Sequence, residues 1–240
     1  MTHALRGVLF DLDDTLFDHN HSTECATAIL REEEPIFAAW SLDELRRRHR
    51  EILELIHREV VAGRMSIDDA RRERFRRLLS DAGADAGTQG RAWDLAMRYR
   101  TAYQSSWRAV PGAAELLVAL RAQGLAIAIV TNNLTAEQQQ KLKGCALDVH
   151  IDALITSEGV GVAKPSVEIY QAALDALRLT AAETVMVGDA WETDIAGALA
   201  TGIRPVWFNW RGLPKREAVV AEFASLTPLD FALAHITDCK

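Results

Sequence analysis

From Pro111 onward, apolar runs of strand length alternate with stretches of helix length, and this alternation is the strongest constraint on the fold. The pattern reads as helix 113–122, strand 125–130, helix 136–142, strand 153–156, helix 167–177, strand 184–187, helix 193–200 and strand 205–208. Such an order implies a mainly parallel sheet with helices on both faces, a doubly wound (Rossmann-like) α/β core. One more strand, 7–10, belongs to that sheet although residues 18–106 intervene. The intervening block is rich in charge, poor in glycine and without β-branched runs, so it reads as helical. A capping box at Ser41–Glu44 precedes Leu45, Ile52, Leu55 and Ile56 at helical spacing. Ser66 opens a second helix with Phe75, Leu78 and Leu79 on its apolar side. A third, over 91–105, is expected to turn Trp93, Met97 and Tyr103 inward. The expected organisation is therefore a core of residues 1–17 and 107–240, with an all-helical cap, 18–106, inserted after the first strand.

In parallel sheets of this kind, ligands bind beyond the carboxyl ends of the strands. Each strand end here is polar. The first runs into Asp11 and Asp13, which project the same way if the backbone stays extended. Carboxylates held side by side repel and are costly to desolvate. A divalent cation, a shared proton or both relieve that cost, and the arrangement suits phosphoryl chemistry. The second strand ends in Thr131-Asn132-Asn133, whose hydroxyl and amides can donate to phosphate oxygens. The third leads through Ser157-Glu158-Gly159-Val160-Gly161-Val162-Ala163 to Lys164-Pro165, a lysine able to face carboxylates and phosphate together. The fourth ends in Gly188-Asp189, with Asp194 five residues later. A hard cation such as Mg²⁺ takes oxygen ligands and usually keeps water, so a few carboxylates suffice to hold it.

The chain has 240 residues, 49% apolar and 25% charged, with a net charge of −7. That balance does not suit a nucleic-acid polymer as partner. Cys25, Cys145 and Cys239 lie far apart without metal-ligand spacing, as expected of reduced thiols in a cytoplasmic protein. No signal peptide and no membrane-spanning run are visible. The arginine-rich stretches Arg46–Arg50 and Arg71–Arg77 read as solvated helix faces interleaved with acids, and His19 and His21 as exposed linker residues.

Taken in order, Asp11-Leu12-Asp13-Asp14-Thr15, Thr131-Asn132, Lys164-Pro165 and Gly188-Asp189 with Asp194 resemble the four signatures of the haloacid dehalogenase superfamily, in its phosphatase branch. The resemblance implies Mg²⁺-dependent hydrolysis of a small phosphomonoester through an aspartyl-phosphate. Asp11 would be the nucleophile, and Asp13 the acid and then the base. Mg²⁺ would be held by Asp11, the main-chain carbonyl of Asp13 and Asp189, with Asp194 assisting. Thr131, the Asn132 region and Lys164 would bind the phosphoryl oxygens. The 157–165 loop with Trp207-Phe208-Asn209 further resembles bacterial pyrimidine 5′-nucleotidases, in which Asn133 is usually glycine. A sugar-phosphate or phosphoglycolate phosphatase shares this chemistry. A non-catalytic binding protein on the same fold is the rival of another class. The expected partner is a small phosphorylated metabolite, with neither membrane nor polymer, and the chain is expected as a monomer or homodimer.

Overall fold

The computed structural model describes residues 4–61, 63–84, 89–214, 216–217 and 220–238. The chain forms two compact units, one of residues 1–18 with 108–240 and one of residues 19–107.

The α/β unit begins with β1 (Gly7–Phe10), four residues buried without exception. The helical unit follows with α1 (His19–Glu33), a short 3₁₀ turn, α2 (Leu42–Val61), α3 (Ile67–Asp81) and α4 (Gln89–Ser105). The α/β unit then resumes with α5 (Ala113–Ala122), β2 (Ala126–Thr131), α6 (Thr135–Gly144), β3 (Ala153–Thr156), α7 (Ser157–Val160) and α8 (Val167–Leu177). It finishes with β4 (Thr184–Gly188), a π turn at Trp191–Ile195, α9 (Ala196–Thr201), β5 (Arg204–Phe208), β6 (Ala221–Phe223) and α10 (Leu229–Thr237). All six strands are parallel, in the order β3-β2-β1-β4-β5-β6.

Successive side chains point to opposite faces of the sheet. Leu9, Ala128, Val130 and Met186 therefore share one face, where they pack with Ile169, Tyr170, Ala173 and Leu174 of α8 and Ala198 of α9. Each such apolar side chain contributes on the order of 2 kcal/mol on burial. β6 and α10 lie beyond the last element expected from the sequence, the strand at 205–208. Three residues suffice for an edge strand whose Phe223 meets Phe208 at 5.4 Å between ring centroids.

Where the chain leaves the sheet and where it returns, it pairs with itself. Phe17 bridges Ala109 antiparallel, Val110 N–H donates to the Leu16 carbonyl at 2.8 Å, and Arg108 clasps Asp18 at 2.7 Å.

Within the helical unit, the core comprises Leu30, Phe37, Leu45, Ile52, Ile56, Phe75, Leu78, Leu79, Leu95 and Tyr99, among others. Leu55, expected on the inner stripe, is 55% exposed. On α4 the buried stripe is Ala92, Leu95, Ala96, Tyr99 and Ala102; Met97 and Tyr103 turn inward as expected and pack partly buried against that core, whereas Trp93 does not belong to it. Alanines permit close helix packing, and the large side chains flank the seam; Arg72 lies over the Trp93 ring at 5.2 Å. His19 and His21 are not linker residues either. Both lie in α1, half-buried, with His19 Nδ1 2.7 Å from the Tyr103 hydroxyl and His21 Nε2 3.5 Å from Cys25 Sγ. Cys25 and Cys145 are free thiols, and Cys239 lies outside the described residues. Among the described residues, no helix is long and apolar enough to cross a membrane.

Candidate active site

The strand order reverses between β1 and β4: from β1 the chain moves outward through β2 and β3, then returns to β4 on the other side. A crevice opens at such a switch point beyond the carboxyl ends of the strands. The β1–β4 register, Phe10 opposite Val187, carries Asp11 and Asp189 to that place. Asp11 N–H extends the ladder by one bond, to the Val187 carbonyl at 2.9 Å. The backbone then turns back on itself, with Leu12 O accepting from Leu16 and Phe17 and with Asp14 at φ 63°, a left-handed conformation that Asp tolerates. The turn itself occupies residues 14–16, after Asp13, and separate groups hold the Asp11 and Asp13 carboxylates.

Asp11 Oδ1 accepts from Lys164 Nζ at 2.6 Å, and its Oδ2 from the Thr15 hydroxyl at 3.3 Å. The same Lys164 Nζ donates to Asp194 Oδ1 at 2.7 Å. An ammonium has three protons, so Lys164 keeps one for a substrate oxygen. The Asn132 side chain fixes that lysine: its Nδ2 donates to the Lys164 carbonyl at 2.9 Å and its Oδ1 accepts the Lys164 N–H at 2.6 Å. The Asn132 amide is thus committed to shaping the 157–165 loop. Thr131 Oγ1 accepts from Gln138 Nε2 at 2.7 Å, which leaves its own O–H to donate. Asn133 keeps an ordinary negative φ, so its replacement of glycine needs no left-handed backbone.

Asp194 reaches the centre from the π turn after β4, an irregularity often found at functional sites. Its carboxylate lies where a side chain at 188 would start. A Cβ on Gly188 would stand 2.3 Å from Asp194 Oδ2, so only glycine permits the approach. Ala190 N–H donates to that Oδ2 at 3.0 Å. Asp189 carries Arg211 and, at 3.3 Å, the Trp210 indole N–H on its Oδ2. Arg211 also pairs with Asp14 at 2.9 Å.

Asp11, Asp189 and Asp194 are all buried and offer oxygens within 4.8 Å of one another. Burial pushes the Asp11 carboxyl well above the ordinary carboxylate range; Lys164 opposes this, while Asp194 and Asp189 add to it. Asp189 is pushed up to about 6 by burial first and then by Asp194, against Arg211. Burial disfavours the Lys164 ammonium, yet Asp11 and Asp194 outweigh it and hold Lys164 above the ordinary lysine range. Counting outward, five carboxylates (Asp11, Asp13, Asp14, Asp189, Asp194) meet three cations (Lys141, Lys164, Arg211). The three clustered carboxylates offer the oxygen ligands that a hard divalent cation takes. Of these three, Asp194 is fully buried, whereas Asp11 and Asp189 retain 7% and 8% exposure, so among the three Asp11 is both paired with Lys164 and reachable.

Sequence reasoning passed over Gln138, Lys141 and Arg211. Lys141 Nζ pairs with Asp13 Oδ1 at 2.5 Å, and Gln138 Nε2 donates to Asp13 Oδ2 at 3.0 Å. A signal was available: Gln138 and Lys141 interrupt the apolar helical stripe that Leu134 and Leu142 define, so polar groups occupy inward positions. For Arg211 nothing comparable exists, because its loop has no periodicity.

Carboxylates, a buried ammonium and a hydroxyl gather at the switch point of a parallel sheet, where α/β enzymes bind their ligands. The profile described as haloacid dehalogenase-like hydrolase matches residues 5–202, and the chain belongs to that family. It is 33% identical to the ribulose-1,5-bisphosphate 5-phosphatase of Halopiger xanaduensis over 236 residues, 97% of this chain and 95% of that protein. Over 101 residues, 42% of this chain and 44% of that protein, it is 41% identical to the pyrimidine 5′-nucleotidase YjjG of Escherichia coli. The magnesium-bound HAD-hydrolase YfnB of Bacillus subtilis superposes with a TM-score of 0.75 at 25% identity, covering 96% of this chain and 99% of that one. With such relatives the chain is a hydrolase of phosphoric monoesters.

Proposed function

We propose that the protein is a Mg²⁺-dependent phosphatase that cleaves a small phosphomonoester through an aspartyl-phosphate. The observation that carries this reading is the shared Lys164 ammonium, which ties reachable Asp11 to the carboxylate cluster. Asp11 attacks phosphorus and the ester P–O bond breaks, with the leaving oxygen taking a proton from Asp13. Water then attacks the aspartyl-phosphate and gives its proton to Asp13, which releases phosphate and restores Asp11. The Thr131 hydroxyl and the remaining Lys164 proton hold phosphoryl oxygens. Asp11, the Asp13 main-chain carbonyl, Asp189 and Asp194 would hold Mg²⁺, whose chemistry is to screen charge on the transferring group.

Two substrate classes stand behind this chemistry. A sugar phosphate has the support of the full-length relative, a bisphosphate phosphatase that aligns through both units. A nucleoside 5′-monophosphate rests on the partial match and on Trp207-Phe208-Asn209. The environment of those three residues removes their support for the nucleotide. Trp207 is buried and donates to the Asp189 carbonyl at 2.9 Å, Phe208 is in the core, and Asn209 closes its own loop through Leu213. These three residues serve the scaffold, so they add no support for a nucleobase.

Phosphate release from ribose 5-phosphate, phosphoglycolate, UMP, dTMP and AMP, with Mg²⁺ and with chelator, tests the reading. We expect Mg²⁺-dependent turnover, led by the sugar phosphate and lost by at least about 10⁴-fold in Asp11→Asn with the fold retained. Turnover that survives chelation, or an Asp11→Asn variant as active as wild type, overturns the mechanism. Preference for UMP or dTMP overturns only the substrate class.

A further inference from the structure

The acid–base carboxylate does not stand free. Both oxygens of Asp13 are engaged by one helix, α6: Lys141 Nζ on Oδ1 at 2.5 Å and Gln138 Nε2 on Oδ2 at 3.0 Å. The two side chains are three residues apart and so share a helix face. The second Gln138 N–H runs to Thr131 Oγ1 at 2.7 Å, so Asp13 is tied through a single amide to the end of β2. The amide orientation is fixed, since the flipped form would set its oxygen against a carboxylate.

Neither residue is what packing would choose. Lys141 is 4% exposed and Gln138 is fully buried. Apolar residues there would continue the stripe of Leu134 and Leu142, and replacing a buried ion pair by packed apolar groups is often stabilising. Gln138 moreover leaves its Oε1 buried without a hydrogen-bond partner among the described residues. Fold stability gains nothing from that oxygen, whereas the other end of the amide bridges two groups at the strand ends.

We propose that Gln138 and Lys141 are positioning residues that hold the Asp13 carboxyl in one orientation for proton delivery to the leaving oxygen. The inference rests on the phosphatase reading above. A carboxyl gripped at both oxygens cannot rotate away, and general acid catalysis depends on reach and direction before anything else. Lys141 is further confined by the Phe17 ring, whose centroid lies 5.0 Å from Nζ. Phe17 is fully buried, so the ammonium has a hard floor.

The leaving group separates positioning of an acid from mere structural support. A p-nitrophenolate departs without a proton, whereas the alkoxide of ribose 5-phosphate needs one. kcat/KM reports the steps through departure of the leaving group when that departure is irreversible, and so excludes the later hydrolysis of the aspartyl-phosphate. We expect Lys141→Met to lower kcat/KM about 100-fold on ribose 5-phosphate and less than about 10-fold on p-nitrophenyl phosphate. Lys141→Arg should recover about tenfold of that loss on the sugar phosphate, and Gln138→Leu should shift the two esters in the same sense as Lys141→Met, by less. Thermal melting checks that each variant folds, and Gln138→Leu carries the test if Lys141→Met does not. Equal losses on both esters, or no loss on either, overturn the proposal while leaving the phosphatase reading intact. A wild-type enzyme inactive on these two esters and on the panel above overturns both.

Discussion

In the α/β unit charge is buried and concentrated at strand ends, whereas in the helical unit it lies outside. Lys164, Asp11, Asp194 and Asp189 are buried together; Lys164 donates to Asp11 and Asp194 across 2.6–2.7 Å, and Asp189 pairs with Arg211. On α2 and α3 the arginines instead pair along the helix surface, Arg47 with Glu44 and Glu51, Arg72 with Asp69, Arg76 with Glu73. The helical core also buries an ionisable group, His49, and neither of its ring nitrogens has a hydrogen-bond partner among the described residues. Buried charge that is mutually satisfied marks chemistry. Buried polarity without partners marks a cost that the surrounding packing must offset.

Three experiments sharpen the contrast. The largest effect belongs to Gly188→Ala, whose methyl would enter the space of the Asp194 carboxylate. We expect divalent-cation affinity, measured by calorimetric titration, to fall by about 10–100-fold. Unchanged affinity would mean that Asp194 does not depend on that approach.

Next comes acid. His49 is held well below its ordinary value by burial, with Arg74 and His19 adding to it. The unfolded chain binds its proton near pH 6.5 and the folded chain only below that. The contribution is therefore present above about pH 6.5 and is lost as pH falls, by up to about 1.4 kcal/mol per pH unit. Denaturant melts between pH 7 and pH 5 should show this slope in wild type and a shallower one in His49→Leu; parallel slopes would remove His49 as the cause.

The smallest effect is outside. Arg76→Ala breaks a pair that is 44% exposed on the arginine side, and we expect less than about 1 kcal/mol in the same melts. A larger loss would show that the helical surface is not the passive lattice described here.

The same contrast explains what could be read from the sequence. β1 through β5 were visible because apolar runs with polar ends are local patterns, and Asp11, Lys164, Asp189 and Asp194 stand at those ends. Gathering them around one lysine is a property of strand order, which no local pattern encodes. On α4 the pattern finds Met97 and Tyr103, which pack partly buried against the core, and misses the fully buried Ala92 and Ala96, because small side chains carry little apolar signal. Arg211 stayed invisible because a loop arginine looks the same in solvent and in an ion pair. In the helical unit, pattern found the core residues Phe75, Leu78 and Leu79 and stopped there, since packing determines no ligand.

The clasp formed by Phe17 with Ala109, and by Asp18 with Arg108, has a consequence for how such a chain can change. To the sheet, residues 19–107 are a single closed excursion whose two ends already lie side by side. The entropy of closing a loop grows only logarithmically with its length. The scaffold is therefore almost indifferent to what is spliced between those ends, whether a tight turn or a different folded module. The helical unit can be exchanged as a cartridge without re-solving the problem of building the α/β unit.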